Sequence, residues 1–141
     1  MKSFENFLLS EDSFSEIVIG NTALVRGMIE AHTRVVTSYP GSPMPEVAEA
    51  IGNISKEKRP FYFEFSTNEK VATEIAFGAS VNGYLSTVFF KSVGLNVAAD
   101  SFVQLSLMDL KGGMVIVIGD DPGANSSQNE QDNRHYAQLS Y

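Results

Sequence analysis

Glu69 is the residue whose type and placement most invite chemistry. It stands in Glu64-Phe65-Ser66-Thr67-Asn68-Glu69-Lys70, after a β-prone run and at the opening of a helical one. A carboxylate at such a junction has two uses. Ser66 and Glu69 have the spacing of a capping box, and a first-turn carboxylate favours the helix dipole. Alternatively the carboxyl points over the strand ends into a crevice. Partly desolvated there, it can share a proton with a heterocyclic nitrogen. Spacing alone leans to the cap and leaves the second use open.

Two further segments can carry a ligand. Lys91-Ser92-Val93-Gly94-Leu95-Asn96 reads as a strand-to-helix turn, in which glycine permits close approach of the backbone and Asn96 can cap the next helix. The stretch from Asp120 to Arg134 has hardly any core-forming residue, and a polar loop of that length is usually functional or disordered. Its carboxylates lack the spacing of an EF-hand, so a solvated acidic loop is the better reading than a metal site. Gly119-Asp120-Asp121 invites comparison with the GDG…N motif that holds magnesium and a diphosphate, but the asparagine needed well downstream is missing. His32 and His135 lie in unlike contexts, and His32 reads as a surface or helix-end residue. No GxGxxG, Walker lysine, GxSxG or HExxH motif is present.

Alternating elements must position these residues. Residues 1–15 read as an arm that docks by its aromatics rather than as a core element, and 16–141 as the domain. Ile17-Val18-Ile19 reads as a short strand or lead-in. A helix from Asn21, a good N-cap type, repeats Leu24, Met28 and Ala31 on one face. The short β-branched run Val35-Val36-Thr37 leads into the breaker-rich Tyr39-Pro40-Gly41-Ser42-Pro43-Met44-Pro45. Beyond it come a helix over 46–54 (Val47, Ala50, Ile51 and Ile54 on one face), a strand over 61–65 and a helix over 68–82 with Val71, Ile75 and Ala79 inward. A strand over 85–90, a helix over 96–108 and an apolar strand over 114–118 complete the order. This is an α/β pattern with a mostly parallel sheet covered by helices on both faces. Ligands of such sheets sit outside the carboxyl ends of the strands, so 39–45, 66–70, 91–96 and 119–134 are expected to converge there.

Composition bounds the function. The 141 residues amount to about one domain. The absence of cysteine excludes disulfides, thiolate zinc, iron–sulfur ligation and a cysteine nucleophile within this chain. A net charge of −7 with no basic run speaks against nucleic acid. No apolar stretch is long enough to span a membrane, and the acidic start is no secretory signal. The expectation is a soluble, cytoplasmic domain.

Five linked segments resemble one family. They are Tyr39-Pro40-Gly41-Ser42-Pro43, Asn68-Glu69-Lys70-Val71-Ala72, Lys91 to Asp100, Asp120-Asp121-Pro122-Gly123 and Ser126 to Arg134. In order and with few gaps, they resemble the amino-terminal domain of the indolepyruvate:ferredoxin oxidoreductases, the α-subunit type within the 2-oxoacid:ferredoxin oxidoreductases. The resemblance implies the pyrimidine-binding domain of a thiamine-diphosphate enzyme. Glu69 matches the glutamate that contacts N1′ of the aminopyrimidine and so promotes loss of the thiazolium C2 proton. Lys91, Ser92, Val93 and Gly94 would lie beside the cofactor. Ser42, where the family usually has threonine, would face the substrate carboxylate, with Tyr39 and Gly41 in the same turn.

The resemblance further implies oxidative decarboxylation of an aryl 2-oxoacid to its acyl-CoA, with ferredoxin as electron acceptor. By the same resemblance, magnesium, the diphosphate and the iron–sulfur clusters would be held by a second domain or subunit, in a homodimer or heteromer, since the family's cofactor lies between domains of different types. The chain then reads as a fragment of a longer protein, or a small subunit, inactive alone. Two other readings stay open: the pyrimidine-domain subunit of a split, non-oxidative 2-oxoacid decarboxylase, and a non-catalytic binding or assembly module of the same fold.

Overall fold

The computed structural model describes residues 4–124 and 129–140. Its elements run α1 (Phe4–Leu9), α2 (Gly20–Glu30), β1 (Val35–Ser38), α3 (Pro45–Gly52), β2 (Tyr62–Phe65), α4 (Glu69–Val81), β3 (Ser86–Lys91), α5 (Gly94–Leu105), β4 (Met114–Gly119) and α6 (Arg134–Leu139). The strands pair in parallel in the order β2-β1-β3-β4. The chain leaves β1 towards β2 and then returns past it to β3, so the strand order reverses between β1 and β3. Open parallel sheets place their ligand crevice at the carboxyl side of such a reversal.

Both faces of the sheet carry helices. Adjacent residues of a strand point to opposite faces, and β3 shows it. Phe89 joins Val36 in a core with Val25, Met28, Val47 and Ile51 from α2 and α3. Val88 and Phe90 join Ala72, Ala76, Leu95 and Ala98 from α4 and α5 on the other side. Five of the six residues of β3 are buried. The doubly covered strand is therefore β3 and not, as the apolar run over 114–118 suggests, β4. As an edge strand β4 leaves Val115 48% exposed.

The helix faces differ from the periodicity reading by about one position. In α2 the buried residues are Thr22, Val25 and Met28, whereas Leu24 and Ala31 line an open apolar groove of about 350 Å³ with Ala23, Gly27, Val115 and Val117. In α4 the side chains turned fully inward are Ala72, Thr73, Ala76 and Ser80, with Val71, Ile75 and Ala79 only half-buried. Small residues win that face because the helix lies close to the sheet. Thr37 Oγ1 donates to the Ala72 carbonyl at 2.7 Å, a contact that larger side chains would hold apart.

Some local expectations also change. Gly20 begins α2, and Ile17-Val18-Ile19 is an exposed lead-in rather than a strand. Asn21 is not its cap, because its Nδ2 donates to the Pro43 carbonyl (2.9 Å) and to Glu46 (3.0 Å). The arm forms α1, and Leu8 enters the core completely buried. Glu5 of α1 accepts from the Ser55 amide and hydroxyl and from Lys58. His32 is exposed just beyond α2, in left-handed backbone with φ 56°. Among the described residues, no helix is long and apolar enough to cross a membrane.

Candidate functional site

The parallel sheet brings the segments after all four strands to one edge, as the element pattern required. Glu69 arrives there as the first residue of α4. Its cap is Asn68, not Ser66. Asn68 has the extended backbone of an N-cap (φ −162°, ψ 176°), and its side chain accepts from the Val71 amide at 2.9 Å. Ser66 Oγ donates instead to Glu64 at 3.2 Å. The Glu69 carboxyl is thereby released from capping, yet its residue is only 9% exposed.

What covers it is Gly94, the first residue of α5. A Cβ at Gly94 would stand 2.6 Å from Glu69 Cγ and 2.7 Å from Oε1. A side chain at position 94 would therefore have to displace that of Glu69, which rests at the start of α5. Side chains tie the two helices together near this contact. Lys70 Nζ is 2.6 Å from Asp100, and Ser101 Oγ donates to Glu74 at 2.8 Å. The Asp100 carboxylate raises the pKa of Lys70 above its ordinary value, which keeps this surface bridge charged.

The turn before Gly94 is pinned from several sides. The Ser92 amide donates to Gly119 (3.0 Å), and its carbonyl accepts from the Leu95 amide (3.2 Å) and from Asn133 Nδ2 (3.1 Å). The Ser92 hydroxyl is fully buried and finds no partner among the described residues. Such an orphaned group costs stability and marks a place where a ligand can donate or accept. Val93 is the residue preceding α5 and makes no side-chain cap, and Asn96 is not the cap either. Asn96 instead exchanges two hydrogen bonds with Gln131 (2.8 and 3.0 Å).

The breaker-rich turn lies across the neighbouring strand ends. A Cβ on Gly41 would come within 2.8 Å of Lys91 Cβ, and one on Gly119 within 2.7 Å of Met44 Sδ. Ser38 Oγ donates to the Phe89 carbonyl at 2.7 Å, joining β1 to β3 just below. The Ser42–Pro43 peptide is cis. Gly41, Lys91, Ser92, Val93, Gly94 and Glu69 thus form one contiguous line across the strand ends. Tyr39 and Ser42 stand on the same turn but are exposed. Tyr39 and Gly41 line a cavity of about 130 Å³ with Phe65 and Phe89, smaller than the roughly 300–1,000 Å³ of ordinary ligand clefts. Glu69 and Ser42 are not part of its lining.

Sequence reasoning missed the group that holds the polar loop against this line, namely Asp120, Gln131 and Asn133. The signal was there in kind, since carboxamides both donate and accept, but nothing local says which backbone they reach. Ser126, Ser127 and Gln128 of the same motif lie outside the described residues.

Comparison with known proteins bears on the family and the fold. No protein-family model matches the chain. The indolepyruvate oxidoreductase subunit IorA of Methanothermobacter thermautotrophicus is 46% identical over 135 residues, which is 96% of this chain and 22% of the relative. That of Methanothermobacter marburgensis is 48% identical over 88% of this chain and 20% of the relative. That of Pyrococcus horikoshii is 46% identical over 87% and 19%. The chain spans about a fifth of the length of these relatives. Among solved structures, the 2-oxoglutarate:ferredoxin oxidoreductase of Magnetococcus marinus matches with a TM-score of 0.68 over 85% of this chain and 21% of that one, at 21% identity, which is a likeness of fold. With sequence relatives this similar over nearly the whole chain, the chain belongs to the family of the indolepyruvate oxidoreductase IorA subunits.

Proposed function

We propose that this chain supplies the aminopyrimidine side of a thiamine-diphosphate site in an oxidoreductase that converts an aryl 2-oxoacid of the indolepyruvate type to its acyl-CoA. The observation that carries this reading is the Glu69 carboxyl, buried at the strand ends and pressed against Gly94. The residues present fit the cofactor's pyrimidine half. They offer a buried carboxyl for a ring nitrogen, a buried Ser92 hydroxyl with no partner among the described residues, and a glycine backbone on which a flat ring can lie.

When bound, thiamine diphosphate supplies the electron sink for decarboxylation. The chain's own part is proton management and orientation. Glu69 holds the proton at N1′, in a buried place where a hydrogen bond is stronger than in water. Lys91, Ser92, Val93 and Gly94 fix the ring's position along the turn. Tyr39, Gly41 and Ser42 form the side towards the 2-oxoacid carboxylate. Magnesium, the diphosphate and the iron–sulfur clusters belong to other parts of the enzyme, as do the sites of CoA and ferredoxin.

The test is Glu69→Gln in the complete oxidoreductase, followed as indolepyruvate- and CoA-dependent ferredoxin reduction. Turnover is expected to fall at least about 100-fold, the low end for a lost acid–base group. Turnover equal to that of the parent refutes the assignment.

A further inference from the structure

Asn133 is not one of the line of residues described above, yet its buried side chain makes three hydrogen bonds beside it. It is 6% exposed. Its Nδ2 donates to the Ser92 carbonyl (3.1 Å) and to Asp120, its backbone amide donates to the other oxygen of Asp120 (3.1 Å), and its Oδ1 accepts from Gln131 Nε2 (2.7 Å). Gln131 in turn holds both ends of the Asn96 carboxamide, and the Tyr136 hydroxyl donates to Asn96 at 2.9 Å. One carboxamide therefore joins the end of β4 to the turn before α5, and through Gln131 to the first turn of α5 itself.

The two points gripped, Ser92 and Asn96, flank Gly94. Gly94 is the wall against which the Glu69 side chain rests, with no spare space between them. A shift of the 92–96 turn is thus a shift of that wall. We propose that Asn133 is a positioning residue for Glu69: it clips the loop that follows β4 onto the β3–α5 turn and so sets the place of the Glu69 carboxyl through Gly94. This gives part of the 120–134 segment a definite task, and it rests on the reading of Glu69 given above.

The chemistry of the clip makes it specific. Only a side chain with both a donor and an acceptor serves Ser92, Asp120 and Gln131 together. An aspartate in its place would keep the shape, lose both side-chain N–H donations and set a second carboxylate against Asp120. The effect travels by contact along a short path, Asn133 to Ser92 to Gly94 to Glu69, so coupling between its ends is measurable by a double-mutant cycle.

The experiment uses the complete oxidoreductase with Asn133→Ala, Asn133→Asp, Glu69→Gln and the double variant Asn133→Ala/Glu69→Gln. Asn133→Ala is expected to lower kcat by about 10-fold with KM for the 2-oxoacid within about twofold, a part of the ~100-fold that a 1 Å misplacement can cost. Asn133→Asp should do no better. The double variant should lose no more than Glu69→Gln alone. In the cofactor-free enzyme, hydrogen–deuterium exchange of segment 91–96 should quicken in Asn133→Ala and stay as in the parent in Glu69→Gln. Losses that multiply in the double variant, or unchanged exchange over 91–96, overturn this inference alone. Parental turnover in Glu69→Gln overturns the reading of the site and this inference with it. Should Asn133→Ala fail to fold, Gln131→Ala removes the outer support only, and its smaller kcat loss must likewise vanish in the Glu69→Gln background.

Discussion

Replacing Gly94 by alanine adds one methyl group at the contact on which the site depends. The new Cβ would stand 2.6 Å from Glu69 Cγ, 2.7 Å from Oε1 and 3.0 Å from Cδ, whereas ordinary contact begins near 3.4 Å. The Glu69 side chain must therefore retreat by about 0.8 Å, close to the 1 Å displacement that costs about 100-fold in rate. That loss corresponds to about 2.7 kcal/mol of activation free energy. Stability changes much less. Overpacking costs about 1–3 kcal/mol, and alanine in place of glycine in a helix returns up to about 1 kcal/mol, so Tm should drop by only a few degrees. The assay is turnover of the complete enzyme beside a thermal melt, with Gly78→Ala in α4 as the control, since nothing lies within 4 Å of a Cβ there. Gly78→Ala should leave turnover unchanged. A folded Gly94→Ala enzyme with turnover within about threefold of the parent would overturn this account, since Glu69 would then tolerate the displacement without loss.

Two further predictions concern the arm. Leu8 is completely buried among α2 and α3 residues, so Leu8→Ala should cost about 2–5 kcal/mol in urea unfolding, and a loss under about 1 kcal/mol would show that α1 is not docked in solution. Hydrogen bonds from Lys58, then from the amide and hydroxyl of Ser55, pull the pKa of Glu5 down from 4.5 to about 2. A depressed carboxylate stabilises the docked arm above its unfolded pKa, and that contribution is lost as pH falls from about 4.5 through about 2. An NMR titration of Glu5 should therefore give a midpoint well below 4.5 that rises in Lys58→Ala, and a midpoint at 4.5 or above in the parent would contradict the docked geometry.

The order of elements was legible because strands and helices alternate and breakers punctuate them. Glu69 and the 91–94 turn could be located for the same reason, since each stands at a strand-to-helix junction and such junctions meet at one edge of a parallel sheet. Three things were not legible. The cap of α4 depends on which residue adopts extended backbone, and Ser66 and Asn68 are both capping types. The inward face of α4 is made of Ala72, Thr73, Ala76 and Ser80, whose small side chains give a weaker apolar signal than Val71 or Ile75. The partner of Ser92 lies 41 residues away in Asn133, and no local pattern announces so distant a carboxamide. The burial of Leu8 was not legible for a similar reason, because it meets its core neighbours only through tertiary contact.

The position of β4 bears on how this chain behaves among copies of itself. Among the described residues β4 pairs only with β3, so its far side faces no other strand. Met114 to Gly119 holds no charge and no proline, and it is dominated by valine and isoleucine, the composition that favours strand addition and cross-β stacking. Charges stand only at the flanks, at Lys111 before it and Asp120 after it, in the manner of gatekeepers. A bare edge of this composition is the part of the chain best suited to add a strand from a second copy. A single lysine at the half-exposed Val115 is the substitution that would block such addition.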